Sequence, residues 1–222
     1  MNFFVTGTDT GVGKTLISCA LLYAFAEQDK KIAGMKPVSA GCDKDNLNED
    51  VKLLRQATNI LASLGQINPY SFLHPIAPHI ASRNAGVQIN FERILESYKE
   101  LTAQAEVVIV EGAGGFLVPL NETQDTADLI EALEIPVIVV VGIRLGCINH
   151  ALLTMQAING RGIKCAGWVA NVLDKNMAAL DENIQSLQLR IAAPLLGIVQ
   201  HQFPADARII STQLNIELLA EQ

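Results

Sequence analysis

The sequence is short of positive charge. Sixteen Lys and Arg stand against 23 Asp and Glu, a formal net charge of -7, which argues against a surface built to neutralise many phosphates and hence against a nucleic-acid partner. A single nucleotide is still allowed, because backbone N–H groups and one or two lysines suffice to hold it. Paired cysteines are also missing. Cys19, Cys42, Cys147 and Cys165 are scattered, with no CxxC and no histidine at ligand spacing, so neither a zinc site nor a disulfide framework is supported and reduced intracellular thiols are expected. His74, His79, His150 and His201 form no relay or metal spacing either. No long hydrophobic run exists: the longest, residues 135–143, contains Pro136 and Gly142 and falls far short of the ~20 residues that cross a bilayer. The beginning of the chain has no basic segment followed by an apolar stretch. A cytoplasmic protein without a membrane partner is the expectation.

What is present is apolar and patterned. Half of the 222 residues are hydrophobic and only 18% are charged, enough to bury one large core, and a single domain over residues 1–222 is expected. Short Val- and Ile-rich runs alternate with helix-length amphipathic segments, the signature of strands buried on both faces beneath crossover helices. This predicts an α/β fold with a mostly parallel central sheet flanked by helices, its strands near residues 2–6, 31–36, 107–110, 137–141, 166–171 and 195–199. Leu16, Ile17, Ala20, Leu21, Ala24 and Phe25 recur at helical spacing and form one core-facing stripe; Ile148, Leu152, Met155 and Ile158 repeat the pattern. A shorter helix over 126–133 cannot continue through Pro136. Trp168 reads as packing, and the polar stretch 40–50 (AGCDKDNLNED) suits a loop over a site or an ordinary solvated connection.

Residues 7–15 read GTDTGVGKT directly after the first apolar run. A glycine-rich turn between strand and helix lets backbone N–H groups converge on phosphate oxygens, with the helix N-terminus adding positive potential. Lys14 then reaches the outer phosphates and Thr15 ligates Mg²⁺. Five residues separate Gly7 from Gly13, one more than the usual pattern, so a structural glycine turn is the competing reading. Mg²⁺ needs hard oxygen ligands. Glu111 closes the run VVIV and opens EGAGG, a carboxylate and bare backbone at a strand's carboxyl end, where α/β sheets bind ligands; a simple cap is the alternative. Asp50 before VKLLRQA is, by spacing alone, a charge favoured by a helix dipole.

GTDTGVGKT, GMKPVSAG (34–41), NPYSF (68–72), EGAGG (111–115), GIRLGCINHALLT (142–154), GWVAN (167–171) and PLLG (194–197) follow one another in the order of the dethiobiotin synthetase family, which the chain resembles nearly end to end. The resemblance implies ATP- and Mg²⁺-dependent closure of the ureido ring of dethiobiotin from 7,8-diaminopelargonic acid and CO₂, through a carbamate and a carbamic-phosphoric anhydride, by a homodimer with its substrate site at the subunit interface. It implies that Lys36 is the catalytic lysine and that Thr15, Asp50 and Glu111 hold the metal. The nucleotide falls to Thr10, Gly11, Val12, Gly13, Lys14, Thr15 and Leu16, with Asp50, Glu111, Gly112, Ala113 and Gly114 around the phosphates. Asn171 and Gln200 border the base, an amide being able to donate to and accept from its edge. Gly146, Cys147, Ile148 and Asn149 supply a helix start for the substrate carboxylate, reaching the site from the partner subunit.

Two positions depart from the family. Gln200 stands where a proline is expected, and Ala40 stands where a Ser or Thr generally contacts the diamine, with Ser39 preceding it. Either Ser39 covers that contact or it is missing. Two other classes compete. Partitioning or regulatory ATPases of the deviant phosphate-loop type carry an extra loop lysine where this chain has Asp9, and the C-terminal ISTQLNIELLAEQ has no basic residue to make a membrane helix. An amide-forming ligase of the cobyrinic-acid type needs a glutaminase domain for which 222 residues leave little room.

Overall fold

The computed structural model describes residues 1–43, 47–202 and 204–219. All six expected strands form. They are β1 (Asn2–Gly7), β2 (Ile32–Met35), β5 (Val107–Glu111), β6 (Val137–Ile143), β7 (Cys165–Val172) and β8 (Leu195–Val199), ordered β2-β5-β1-β6-β7-β8 with every pairing parallel. β3 (Val38–Ala40) and β4 (Tyr70–Phe72) make a separate two-stranded parallel sheet. The helices are α1 (Lys14–Ala26), α2 (Glu49–Ala57), α3 (Leu64–Ile67), α4 (Pro78–Asn84), α5 (Phe91–Thr102), α6 (Thr126–Leu133), α7 (Cys147–Gly160), α8 (Leu180–Gln188) and α9 (Ala207–Ser211).

Side chains alternate across each strand, so each face of the sheet has its own core. Phe4, Val108, Val110, Val139 and Val141 lie in the cluster shared with α5, α6, α7 and α8. Phe3, Val5, Ile109, Ile138 and Val140 lie in the cluster shared with α1, α2 and α9. Trp168 is fully buried on the first face, as expected of packing.

The stripe expected on α1 is too narrow. Ser18, Cys19, Leu22 and Lys14 are buried as well as the periodic apolar residues, because α2 and α9 flank the helix on either side, and a helix enclosed this way needs no polar face. The stretch 40–50 is less of a loop than its composition indicates: Ala40 closes β3, Glu49 and Asp50 begin α2, and residues 44–46 lie outside the described set. Asn48 caps α2 by accepting the Asp50 N–H at 2.9 Å and donates to the Ala40 carbonyl at 2.9 Å, tying the two ends of the stretch together.

The strand order brings the key residues together. β2, β5 and β1 are neighbours, so the residue after β2, the last residue of β5 and the loop after β1 share one carboxyl edge. This edge is the crevice where open parallel sheets take ligands.

Candidate active site

Between β1 and α1 the loop reverses through Gly11 (φ 74°) and Gly13 (φ 92°), both in the left-handed region. A Cβ at Gly13 would lie 2.2 Å from Nδ2 of Asn171, whereas one at Gly11 would meet nothing within 4 Å. Asn171 is buried beneath the loop, and its amide donates to the Val12 carbonyl at 2.8 Å. The structure thus gives this residue a bracing contact that the sequence did not foretell.

Lys36 follows β2 directly. Its Nζ donates to Glu111 Oε1 at 2.5 Å, Asp50 Oδ2 at 3.0 Å and the Gly112 carbonyl at 3.1 Å. Thr15 Oγ1 lies 2.7 Å from Asp50 Oδ1 and 2.9 Å from Glu111 Oε1. Lys14 Nζ donates to the Asp9 carbonyl at 3.0 Å. Asn68 fixes the backbone around Lys36, its amide donating to the Lys36 carbonyl at 2.6 Å and to the Tyr70 carbonyl at 3.0 Å. A buried asparagine between α3 and β4 gives no periodic signal, so Asn68 stood in the NPYSF motif without a role of its own. Asn48 carried a different signal, that of an N-cap residue two positions before Asp50.

Electrostatics separate the two lysines. Burial pulls Lys36 down, but Glu111 and Asp50 together outweigh it and its pKa ends above the ordinary value. Asp50 is pushed up by its own burial, yet Lys36 and the Thr15 hydroxyl bring it below the usual carboxylate range. Lys14 is lowered to about 8, first by burial and then by the charge of Lys36.

Phosphate beside Lys14 favours its charged form. Nucleotide binding at pH 8 is therefore expected to take up about half a proton per site, and affinity to fall as pH rises through about 8. Titrating ADP by calorimetry in two buffers of different ionisation enthalpy measures this uptake; equal apparent enthalpies in the two would contradict it.

Thr15, Asp50 and Glu111 present a hydroxyl and two carboxylates, hard oxygens of the kind Mg²⁺ takes. Glu111 Oε2 is buried and lacks a hydrogen-bond partner, so the cluster retains an open acceptor and fits a cation. Among the described residues no group of three or more His, Cys, Asp and Glu is placed to hold a metal by itself. Any cation here therefore relies on hydroxyl and ligand oxygens for the rest of its shell.

Beside the cluster opens a cleft of about 500 Å³, polar at Lys36, Asp50 and Thr10 and apolar at Val38, Ala40, Ile76 and Val118. Ser39 does not offer its hydroxyl freely: the side chain is buried and donates to Asn68 Oδ1 at 2.9 Å. Ala40 presents only a methyl group to the cleft. Ser39→Ala is accordingly expected to cost about 1 kcal/mol of stability, visible in the melting temperature, whereas Ala40→Ser acts on the KM of the substrate. A Ser39→Ala variant whose KM rises tenfold at unchanged melting temperature would reverse that assignment.

Other expected residues lie further out. Gly146 (φ 94°) precedes α7, whose N-terminus has no side-chain cap; the Cys147 N–H goes to the Arg144 carbonyl at 2.9 Å. Ile148 and Asn149 then have N–H groups without an acceptor inside the helix. None of residues 146–149 lines the Lys36 cleft of the same chain. Gln200 is exposed just beyond β8. All four cysteines are free thiols, and among the described residues no helix is long and apolar enough to cross a membrane.

A glycine loop on a central strand of a parallel sheet, beside a lysine and a carboxylate at neighbouring strand ends and a second carboxylate in the first turn of α2, places the chain among the phosphate-loop nucleotide-using proteins. A family model described as an AAA domain matches residues 1–207. The MinD cell division protein of Aquifex aeolicus shares the fold at TM-score 0.56 and 15% identity, covering all of this chain and 98% of that one; a ParA family ATPase of Chlorobium tepidum TLS does so at 0.56 and 14%, covering all of this chain and 93% of that one. Those identities establish a common fold alone. The ATP-dependent dethiobiotin synthetase BioD of Nitrosospira multiformis is 53% identical over 214 residues, 96% of this chain and 94% of that protein. The chain belongs to the dethiobiotin synthetase family.

Proposed function

We propose that this chain closes the ureido ring of dethiobiotin, joining 7,8-diaminopelargonic acid and CO₂ at the expense of ATP. Family membership supports the activity, and one observation supports the way it is performed: the Lys36 ammonium, buried and held in its charged form by Glu111 and Asp50, lines the cleft and shares both carboxylates with Thr15 of the phosphate loop, with the Gly112 carbonyl as its third acceptor. Both bond-making steps build negative charge on oxygen, and fixed cations aimed at that charge stabilise it without reorganisation.

One amine of the diamine takes up CO₂ to give a carbamate. A carbamate oxygen then attacks the γ-phosphorus and ADP departs, leaving a carbamic-phosphoric anhydride. The second amine attacks the carbonyl carbon, loses its proton, and phosphate leaves as the ring closes. Lys14 and Lys36 flank the transferring group. The loop N–H groups from Gly11 to Leu16, the Thr10 hydroxyl and the bare backbone of Gly112, Ala113 and Gly114 leave room for phosphate oxygens. Thr15, Asp50 and Glu111 would hold Mg²⁺, which when bound would offset phosphate charge and help orient the transferring group. The apolar wall of Val38, Ala40, Ile76 and Val118 suits the aliphatic chain of the diamine.

The N–H groups of Ile148 and Asn149, without an acceptor inside α7, suit the substrate carboxylate, and the absence of residues 146–149 from the lining of their own chain's cleft favours delivery from a second subunit. A homodimer follows from this reading. Asn171 and Gln200 border the base, with Asn171 also bracing the loop from below.

Expressing the chain in a bacterium that lacks its own dethiobiotin synthetase tests the activity. Growth without biotin, when the diamine is supplied, is expected; absence of growth despite soluble, nucleotide-binding protein counts against the proposal.

A further inference from the structure

The phosphate loop carries a carboxylate of its own, Asp9, where an incoming nucleotide brings more negative charge. Nothing in the proposed reaction uses it. Each of its oxygens is nevertheless engaged: Oδ1 accepts the Thr10 N–H at 2.7 Å, the main-chain oxygen accepts Lys14 Nζ at 3.0 Å, and Oδ2 meets Arg144 Nη2 at 2.6 Å. Arg144 is 135 residues away in sequence, immediately after β6 and two residues before Gly146.

The Asp9 and Arg144 side chains are each 44% exposed. An ion pair so open to water adds little to folding. Its position says more than its strength. Asp9 orients Thr10, which lines the cleft, and receives Lys14, the loop's only lysine. Without a counter-charge it would repel the phosphates the loop is shaped to take.

We propose that Arg144 is a positioning residue for the nucleotide: by neutralising and holding Asp9 it sets the loop's charge and the placement of Lys14, and it makes no contact with the phosphates itself. The proposal rests on the reading of the loop as the ATP site. It carries a sign that a direct phosphate contact does not. If Arg144 acts through Asp9, removing the Asp9 charge relieves the loss of the arginine.

Three variants settle the matter, with calorimetric titration of a non-hydrolysable ATP analogue and Mg²⁺ at 0.1 M salt. Arg144→Met is expected to weaken binding about fivefold, the scale of one exposed charge pair, with the melting temperature nearly unchanged and the loss smaller in 0.5 M salt. Arg144→Lys should keep most of the affinity. In the double variant Asp9→Asn, Arg144→Met, where asparagine retains an oxygen for the Thr10 N–H, affinity should return to near the natural value. A double variant as weak as Arg144→Met alone would show the arginine acting on the phosphates directly and overturn the proposal, as would an Arg144→Met variant that binds normally. Failure of the unmodified chain to bind the analogue would instead overturn the ATP-site reading on which the proposal stands.

Discussion

Lys36→Ala is expected to lower turnover by at least ~10²-fold, the scale for removing a positioned donor that acts in the transition state. The lysine touches both carboxylates of the cluster and the Gly112 carbonyl, so truncation also leaves Glu111 buried without its counter-ion, at about 3–5 kcal/mol of stability. A control must separate the two effects. Lys36→Arg keeps the charge and most of the stability, yet its planar fork cannot occupy the point at which an ammonium meets three oxygens. Turnover should therefore stay low in the arginine variant while the melting temperature recovers. Turnover that follows melting temperature across both variants would reduce Lys36 to a structural role.

Gly13→Ala is expected to abolish nucleotide binding, lowering affinity at least ~10²-fold. Two costs combine. A residue with a Cβ pays about 1–2 kcal/mol in the left-handed region, and here the new methyl falls 2.2 Å from the Asn171 amide. Asn171 cannot step aside without releasing Val12 from their 2.8 Å hydrogen bond, so the loop itself must deform. Gly11→Ala is the matched comparison, since it carries the same kind of backbone strain (φ 74°) with no atom within 4 Å. It should lose only the strain term, a few degrees of melting temperature, and still bind nucleotide. Equal losses in the two variants would show that strain alone governs the loop and that Asn171 is not its brace.

Much of the fold was legible because fully buried strands read as bare Val and Ile runs: VVIV before Glu111 and VIVVV after Pro136 have few other solutions. β3 and β4 were not, since VSA and YSF are three residues each and carry no period. α1 was misjudged as one-sided because periodicity describes one helix, whereas its burial is set by the neighbours that close around it. The site was legible in its parts. Lys14, Thr15, Lys36 and Glu111 stand at strand or helix ends, where chemistry collects on α/β sheets. Their convergence depends on β5 lying between β2 and β1, a fact of topology that spacing does not encode. The resemblance to the family, not any local pattern, separated Lys36 from a strand-end surface charge and Asp50 from an ordinary first-turn acid. The ties that hold the cluster in place, Asn68 on Lys36, Asn171 on Val12 and Arg144 on Asp9, link residues 32 to 159 positions apart. Single polar residues at such separations leave no trace in a linear reading.

The central claim is ring closure driven by ATP. Its most direct test combines the protein with MgATP, 7,8-diaminopelargonic acid and ¹³C-labelled bicarbonate, and follows products by mass spectrometry. Dethiobiotin carrying one ¹³C in its ureido carbonyl, formed in step with ADP and absent when the diamine is withheld, is the predicted result; ADP released without labelled dethiobiotin would contradict the account.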